Sequence, residues 1–112
     1  MRRPGCDEDN LEMSDFLCDF CGSVWVEDLP MVEGHKGSCI CGKCLTVAYT
    51  EVVLNESGAA PAGYQCTLCL ENRPDPGWAS PAREGANICR RCIKQSAGVL
   101  SKDKETPWTR PG

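Results

Sequence analysis

The sequence predicts a small α+β fold of two tandem modules, and three observations support this prediction. A Cys-x2-Cys pair is followed after nineteen residues by a second such pair, and the whole pattern recurs at an offset of 48. In the first module, β-favouring residues around a Gly-containing turn separate the pairs, and a 3.6-residue apolar period follows them. Leu, Val, Ile and Phe together make up only 20 of 112 residues, too few for a self-sufficient core. We therefore predict metal-dominated modules, each with a cysteine knuckle, a β-hairpin and a short helix.

Eight of the ten cysteines fall into two sets of four. A tetrahedral zinc ion takes four thiolates, and one knuckle supplies two of them while a second knuckle closes the site. We therefore predict two Zn²⁺ ions per chain. The predicted ligands are Cys18, Cys21, Cys41 and Cys44 at site 1, and Cys66, Cys69, Cys89 and Cys92 at site 2.

Two cysteines lie outside these sets. Cys39 competes with Cys41 as a ligand, but only Cys41 keeps the x2 spacing to Cys44 and matches Cys89 in the second module. Cys6 matches neither module, and we expect it to be a free thiol in the N-terminal tail.

Three other arrangements are weighed against two separate zinc sites. His35 is the sole histidine, and Arg83 stands at its place in the second module, so we expect a solvated turn residue rather than a ligand. In a cross-brace, the first and third knuckles would share a metal, but a duplicated module would have carried a complete site. A single iron also suits four thiolates, so the metal remains open at this point.

Ten cysteines could instead form disulfides, so the compartment matters. Arg2 and Arg3 are followed by an acidic stretch rather than an apolar run, which is unlike a secretory signal. No apolar run approaches the roughly 18 residues that a membrane span needs. We therefore expect a cytoplasmic location, no membrane partner, and cysteines that bind metal.

The repeat divides the chain into five segments. We predict a mobile tail over 1–14, zinc finger 1 over 15–54, a flexible linker over 55–63, zinc finger 2 over 64–101 and a C-terminal tail over 102–112. The hairpin of finger 1 is predicted over 31–33 and 38–40, and the hairpin of finger 2 should be less regular because it holds prolines. The predicted helices carry apolar stripes of Leu45, Ala48, Tyr49, Val52 and Val53 in finger 1, and of Ile93, Ala97 and Leu100 in finger 2.

Three aromatic residues are singled out by position. Phe16 and Tyr64 each lie two residues before a first knuckle cysteine, where they either cover the metal or fill the small core. Trp108 lies in the C-terminal tail, where it is either a docking residue or exposed.

Charge argues against a nucleic-acid partner. The formal net charge is −4, and each zinc ion with four thiolates contributes a further −2, so the loaded chain carries about −8. Nucleic-acid binders of this size normally display a basic face. The cluster of Arg90, Arg91 and Lys94 is interpreted as a solvated helix face.

The first module resembles a known family. Its knuckle Cys18-Asp19-Phe20-Cys21-Gly22, its hairpin ending in Ile40-Cys41-Gly42-Lys43-Cys44 and the apolar helix that follows are similar to the four-cysteine zinc-binding domain of ClpX, the unfoldase subunit of a bacterial protease. The second module has Leu70 where the family's knuckle has glycine, and the spacing is one residue longer than usual. The resemblance implies a treble-clef-like fold, homodimers formed through apolar surfaces, and recruitment of adaptors and substrates. No ATPase module or Walker motif follows, so no unfolding activity is implied.

These observations together predict a non-enzymatic zinc protein that serves as a protein-interaction or adaptor module. Closed four-cysteine sites are structural, and the sequence holds no Ser-His-Asp, Cys-His or phosphate-loop constellation. We expect a monomer in which the two fingers pair as a pseudo-dimer, because a short linker supplies a high effective concentration. The alternatives are a nucleic-acid-binding zinc ribbon and a rubredoxin-like iron electron carrier. The predicted contact surface for a protein partner consists of Val24, Trp25, Val26, Leu29 and Met31.

Overall fold

A computed structural model describes residues 1–103 and 108–111, so the predicted C-terminal tail lies partly outside the described residues. The described part contains two small antiparallel sheets. In finger 1, β1 (Met31–Glu33) pairs with β2 (Cys39–Cys41), and in finger 2, β3 (Gly77–Ala79) pairs with β4 (Asn87–Cys89). The predicted small α+β fold is thereby confirmed. None of the helices in this part of the chain has the length and apolar character that crossing a membrane requires.

The two hairpins differ in register by two residues. Val32 pairs with Ile40 in finger 1, and the matching Ile88 of finger 2 pairs with Trp78. An offset of 48 would instead place Ser80 opposite Ile88. The prolines of finger 2 lie outside its strands, where a missing N–H breaks no ladder. The register shift therefore places a tryptophan, rather than a serine, directly opposite the buried Ile88.

A helix follows the second knuckle of each finger. α1 (Gly42–Ala48) continues as a π-helix over Tyr49–Leu54, and α2 (Arg90–Lys102) runs past Gly98 without interruption. The Thr46 and Thr50 hydroxyls donate to the carbonyls four residues earlier, at 2.9 and 2.8 Å. Such side-chain bonds bend helices, which fits the change of helix type here. The predicted stripes face inward: Leu45, Ala48, Val52, Ile93, Ala97 and Leu100 are buried, and Tyr49 and Val53 are half-buried.

The fingers share one hydrophobic core. Phe20 of the first knuckle packs on Trp78, with ring centroids 5.7 Å apart, and its carbonyl accepts a hydrogen bond from the Ser80 hydroxyl. Leu68, 48 positions after Phe20, has a carbonyl that accepts from the His35 N–H at 2.8 Å. Each first knuckle is thus bound by the hairpin of the other finger.

The segments predicted to be mobile make specific contacts. The N-terminal amino group lies 2.6 Å from Asp19 Oδ1, and the Arg3 guanidinium lies 2.6 Å from the buried Asp15 carboxylate. In the linker, the Ala60 N–H donates to the Gly77 carbonyl at 3.1 Å. A Cβ at Gly58 would lie 2.5 Å from that same carbonyl oxygen, so glycine permits the close approach. Both segments therefore lie against the fingers.

Candidate metal centres

The structure brings the eight predicted ligands together as two clusters of four. In each cluster, the four sulfur atoms lie within 4.8 Å of one another. Cys18 and Cys21 come from the first knuckle, Cys41 ends β2 and Cys44 lies in the first turn of α1. The cluster of Cys66, Cys69, Cys89 and Cys92 is built from the same elements of finger 2. No knuckle is shared between clusters, so the cross-braced arrangement is not formed.

The sulfur spacing fits a tetrahedral metal ion. Zn–S bonds of about 2.3 Å place the sulfurs of a tetrahedron about 3.8 Å apart. The distances are 3.9 Å between the sulfurs of Cys18 and Cys44, and 3.6 Å between those of Cys21 and Cys41. In the second cluster, the sulfurs of Cys69 and Cys89 are 3.9 Å apart. A disulfide would require about 2.0 Å, and all ten cysteines are free. Each cluster could therefore bind one metal ion through four sulfurs.

Backbone N–H groups converge on the first sulfur of each cluster. The N–H groups of Phe20 and Cys41 both donate to Cys18 Sγ at 3.3 Å, and the Cys89 N–H donates to Cys66 Sγ at 3.4 Å. Hydrogen bonds to a thiolate favour its charged form. The knuckle turns thus stabilise the protonation state that a metal requires.

The crowded thiols resist accumulating negative charge. Hydrogen bonds with Cys41 and then with Cys44 hold the pKa of Cys18 far below its usual range. Hydrogen bonds with Cys18 and then with Cys41 raise the pKa of Cys44. In finger 2, the hydrogen bond with Cys66 raises the pKa of Cys89 to about 11. A cation that binds four thiolates must therefore supply compensating positive charge and displace protons.

The knuckle turns require a left-handed residue, and the fingers supply different ones. Gly22 has φ +77° and Leu70, at the equivalent position, has φ +64°. Glycine adopts this conformation without strain, whereas it costs a side-chain-bearing residue roughly 1–2 kcal/mol. Leu70 therefore replaces the glycine of the first knuckle, yet its backbone has the same left-handed conformation, so the turn is kept.

The immediate surroundings of the two clusters also differ. Cys21 Sγ lies 3.0 Å from the Ser23 hydroxyl. At the second cluster, Cys69 raises the pKa of Arg73, whose guanidinium pairs with Glu71. The polar groups near the second cysteine of each cluster are thus a neutral hydroxyl in finger 1 and a guanidinium paired with a carboxylate in finger 2.

The remaining candidate residues lie away from the clusters. Cys39 is 2 % exposed, with its sulfur 3.6 Å from the Gly37 carbonyl. Cys6 lies beside Glu8, and the His35 side chain is exposed. Cys39, which competed with Cys41 in the sequence, therefore belongs to the hairpin packing and not to the four-sulfur cluster.

The two equivalent aromatic residues pack differently. Tyr64 is buried in the core, and its hydroxyl donates to the Asp75 carbonyl at 3.1 Å. Phe16 is half-buried, packs edge-on against Trp25 at 5.4 Å and lies under the Arg2 guanidinium at 4.2 Å. Phe16 thus belongs to a cluster with the N-terminus, a role that its position before the knuckle did not indicate.

The predicted contact surface is only partly exposed. Val24 and Val26 are 38 % and 48 % exposed, whereas Trp25, Leu29 and Met31 are half-buried. Trp25 packs on Phe16, and Leu29 and Met31 pack against the shared core. The exposed part of this surface is the pair Val24 and Val26, which alternate along an extended segment.

No protein-family model, curated protein or solved structure matches this chain. The molecule's own geometry shows two four-cysteine clusters consistent with zinc-binding modules, and thus a metal-binding protein.

Proposed function

We propose that this chain is a non-enzymatic zinc protein, in which two treble-clef-like fingers pair within one chain and serve as a protein-interaction or adaptor module. The observation that carries the proposal is the pair of closed four-sulfur clusters built on one shared core. Four cysteine ligands leave no open coordination position, which is the arrangement of structural rather than catalytic zinc. The metal then holds a surface in shape, and the surface carries the function.

The pairing of the fingers is supported by reciprocal contacts. The Phe20 carbonyl accepts from Ser80 and the Leu68 carbonyl accepts from His35, so each finger contributes the same parts to the other. The resemblance to the ClpX zinc-binding domain supports the same arrangement, since that family pairs as homodimers. We propose that one chain holds both halves of such a pair and is a monomer.

The proposed contact with a partner protein runs through Val24 and Val26. Both side chains are exposed, and they follow the first knuckle directly, so metal binding fixes the segment that presents them. The acidic balance of the loaded chain supports a protein partner over a nucleic acid.

Native mass spectrometry with elemental analysis tests the metal assignment. The expected result is two zinc ions per chain in protein expressed with all metals available. Iron with visible thiolate-to-iron absorption would favour the electron-carrier alternative, and one metal or none would contradict the paired-site proposal.

Affinity capture with a matched variant tests the interaction role. The chain with Val24→Ser and Val26→Ser is compared with Val99→Ser, which changes a valine of α2 that is 57 % exposed. A partner retained by the unmodified chain and by Val99→Ser, but lost with the double variant, supports the proposed surface. A shift with DNA or RNA that weakens with salt would favour the zinc-ribbon alternative.

A further inference from the structure

The C-terminal segment returns to finger 1 through one tryptophan. The Trp108 indole N–H is shared between the Gly42 carbonyl, at 3.1 Å, and the Thr46 hydroxyl oxygen, at 3.0 Å. Both acceptors lie in α1, in the same turns that carry the ligand Cys44. The tryptophan left open between docking and exposure in the sequence is therefore docked, and its side chain is half-buried.

The indole fits because Gly42 lacks a side chain. A Cβ at Gly42 would lie 3.0 Å from Trp108 Cδ1 and 3.4 Å from Pro30 Cγ. Leu29 and Pro30 line the same groove. The site thus combines an apolar wall with two acceptors for a single N–H donor, a combination suited to indole among the protein side chains.

The groove belongs to finger 1 and is larger than the indole. Arg90 stands at the position equivalent to Gly42, so finger 2 has a long side chain where finger 1 has open space. Beside the docked indole, a cavity of about 270 Å³ extends between Asp28 and Lys43. This space would hold residues flanking a tryptophan, and the two opposite charges at its border would contact them.

We propose that this groove is a recognition site for an extended segment of a partner protein that presents a tryptophan, and that Trp108 occupies it as a tethered competitor. The inference rests on the proposed interaction role and names the chemistry of one contact. Trp108 lies six positions after the last residue of α2 in the same chain. A competitor carried on the same chain has an effective concentration on the order of millimolar at its site, so only a segment that binds more tightly than the lone indole displaces it.

The test uses a fluorescein-labelled peptide with the sequence of residues 103–112, followed by anisotropy. The peptide is titrated into the unmodified chain and into the full chain with Trp108→Ala. We expect binding to Trp108→Ala at least about tenfold tighter than to the unmodified chain, because the tethered indole no longer competes. The same peptide with alanine in place of its tryptophan should not bind.

Two glycine variants locate the site. Gly42→Ala, combined with Trp108→Ala, should weaken peptide binding at least about tenfold, because the new Cβ would lie 3.0 Å from Cδ1 of an indole seated as Trp108 is, which forces the ring out of its place. Gly98→Ala in the same background is the matched control, since its Cβ would have no neighbour within 4 Å. Native mass spectrometry verifies that each variant keeps the metal content of the unmodified chain.

Three results would overturn the inference: equal peptide binding with and without Trp108, binding insensitive to Gly42→Ala, or a chain dimer that dissociates on Trp108→Ala. The dimer would assign the groove to Trp108 of a second copy. Failure of the proposed function is distinguishable, because it appears as altered metal content or as partner capture that does not depend on Val24 and Val26.

Discussion

Replacing Cys39 and Cys41 separately by serine tests the ligand assignment most directly. The two cysteines lie two positions apart in the same strand, β2. Cys41 Sγ lies 3.6 Å from Cys21 Sγ inside the cluster, whereas Cys39 Sγ lies beside the Gly37 carbonyl. We expect Cys41→Ser to lower the metal content from two ions to one, and Cys39→Ser to keep both.

The two substitutions should lower the free energy of unfolding by amounts that differ by about an order of magnitude. Structural zinc binding contributes about 10–16 kcal/mol in small zinc-finger peptides, and a finger of this size has little else to hold it. Cys41→Ser should therefore unfold finger 1. A serine at position 39 keeps the Gly37 carbonyl as a hydrogen-bond partner, so Cys39→Ser should lower the free energy of unfolding by about 1 kcal/mol.

Native mass spectrometry measures the metal content, and urea denaturation followed by circular dichroism measures the free energy of unfolding. A two-ion spectrum for Cys41→Ser, or a one-ion spectrum for Cys39→Ser, would refute the assignment. Cys89→Ser provides the corresponding test in finger 2, where Asn87 replaces the competing cysteine.

Three further outcomes follow from the packing and the metal chemistry. Trp78→Ala should lower the free energy of unfolding by about 3–5 kcal/mol and separate urea unfolding into two transitions. The reason is that this side chain, which is 3 % exposed, joins the two fingers through its contact with Phe20. A single unshifted transition would contradict the shared core. Gly22→Ala should lower the free energy of unfolding by about 1–2 kcal/mol, because its φ of +77° is strained for alanine although no atom lies within 4 Å of the new Cβ. Gly98→Ala is the control: its Cβ also has no neighbour within 4 Å, but the position is helical, so the free energy of unfolding should rise in the same assay. Metal ions bind the thiolate form of cysteine, and protons compete for the same sulfur atoms. The metal content measured by native mass spectrometry should therefore fall as the pH is lowered. A metal content that stays unchanged down to about pH 4 would contradict binding by four thiolates.

The cysteine pattern is informative because metal ligation is nearly independent of the rest of the core. Four sulfurs on two knuckles can meet around one ion only if the intervening chain folds back as a hairpin, and that hairpin is present in both fingers. Helical periodicity likewise located the buried stripe that runs through α1 and the π-helix after it, including Leu45 and Val52. These predictions rest on local spacing, which a single sequence shows directly.

The contacts of the terminal segments could not be predicted in the same way. The sequence showed a charged start and a late tryptophan, and neither pattern indicates what it packs against. Arg2 lies over Phe16, and Trp108 donates to Gly42, 66 positions away in the chain. Such contacts depend on where the two fingers place their surfaces, and the side chains involved follow no period.

By itself, the sequence determined the two sets of four cysteines and the hairpin and helix of each finger. Only the tertiary structure decided that Trp78, rather than Ser80, faces Ile88, and that Phe20 and Leu68 lie against the opposite fingers. The physical reason is one of range. Each cysteine knuckle and each helical stripe is made of residues a few positions apart, whereas strand register and the packing between fingers are chosen by burial across the whole chain.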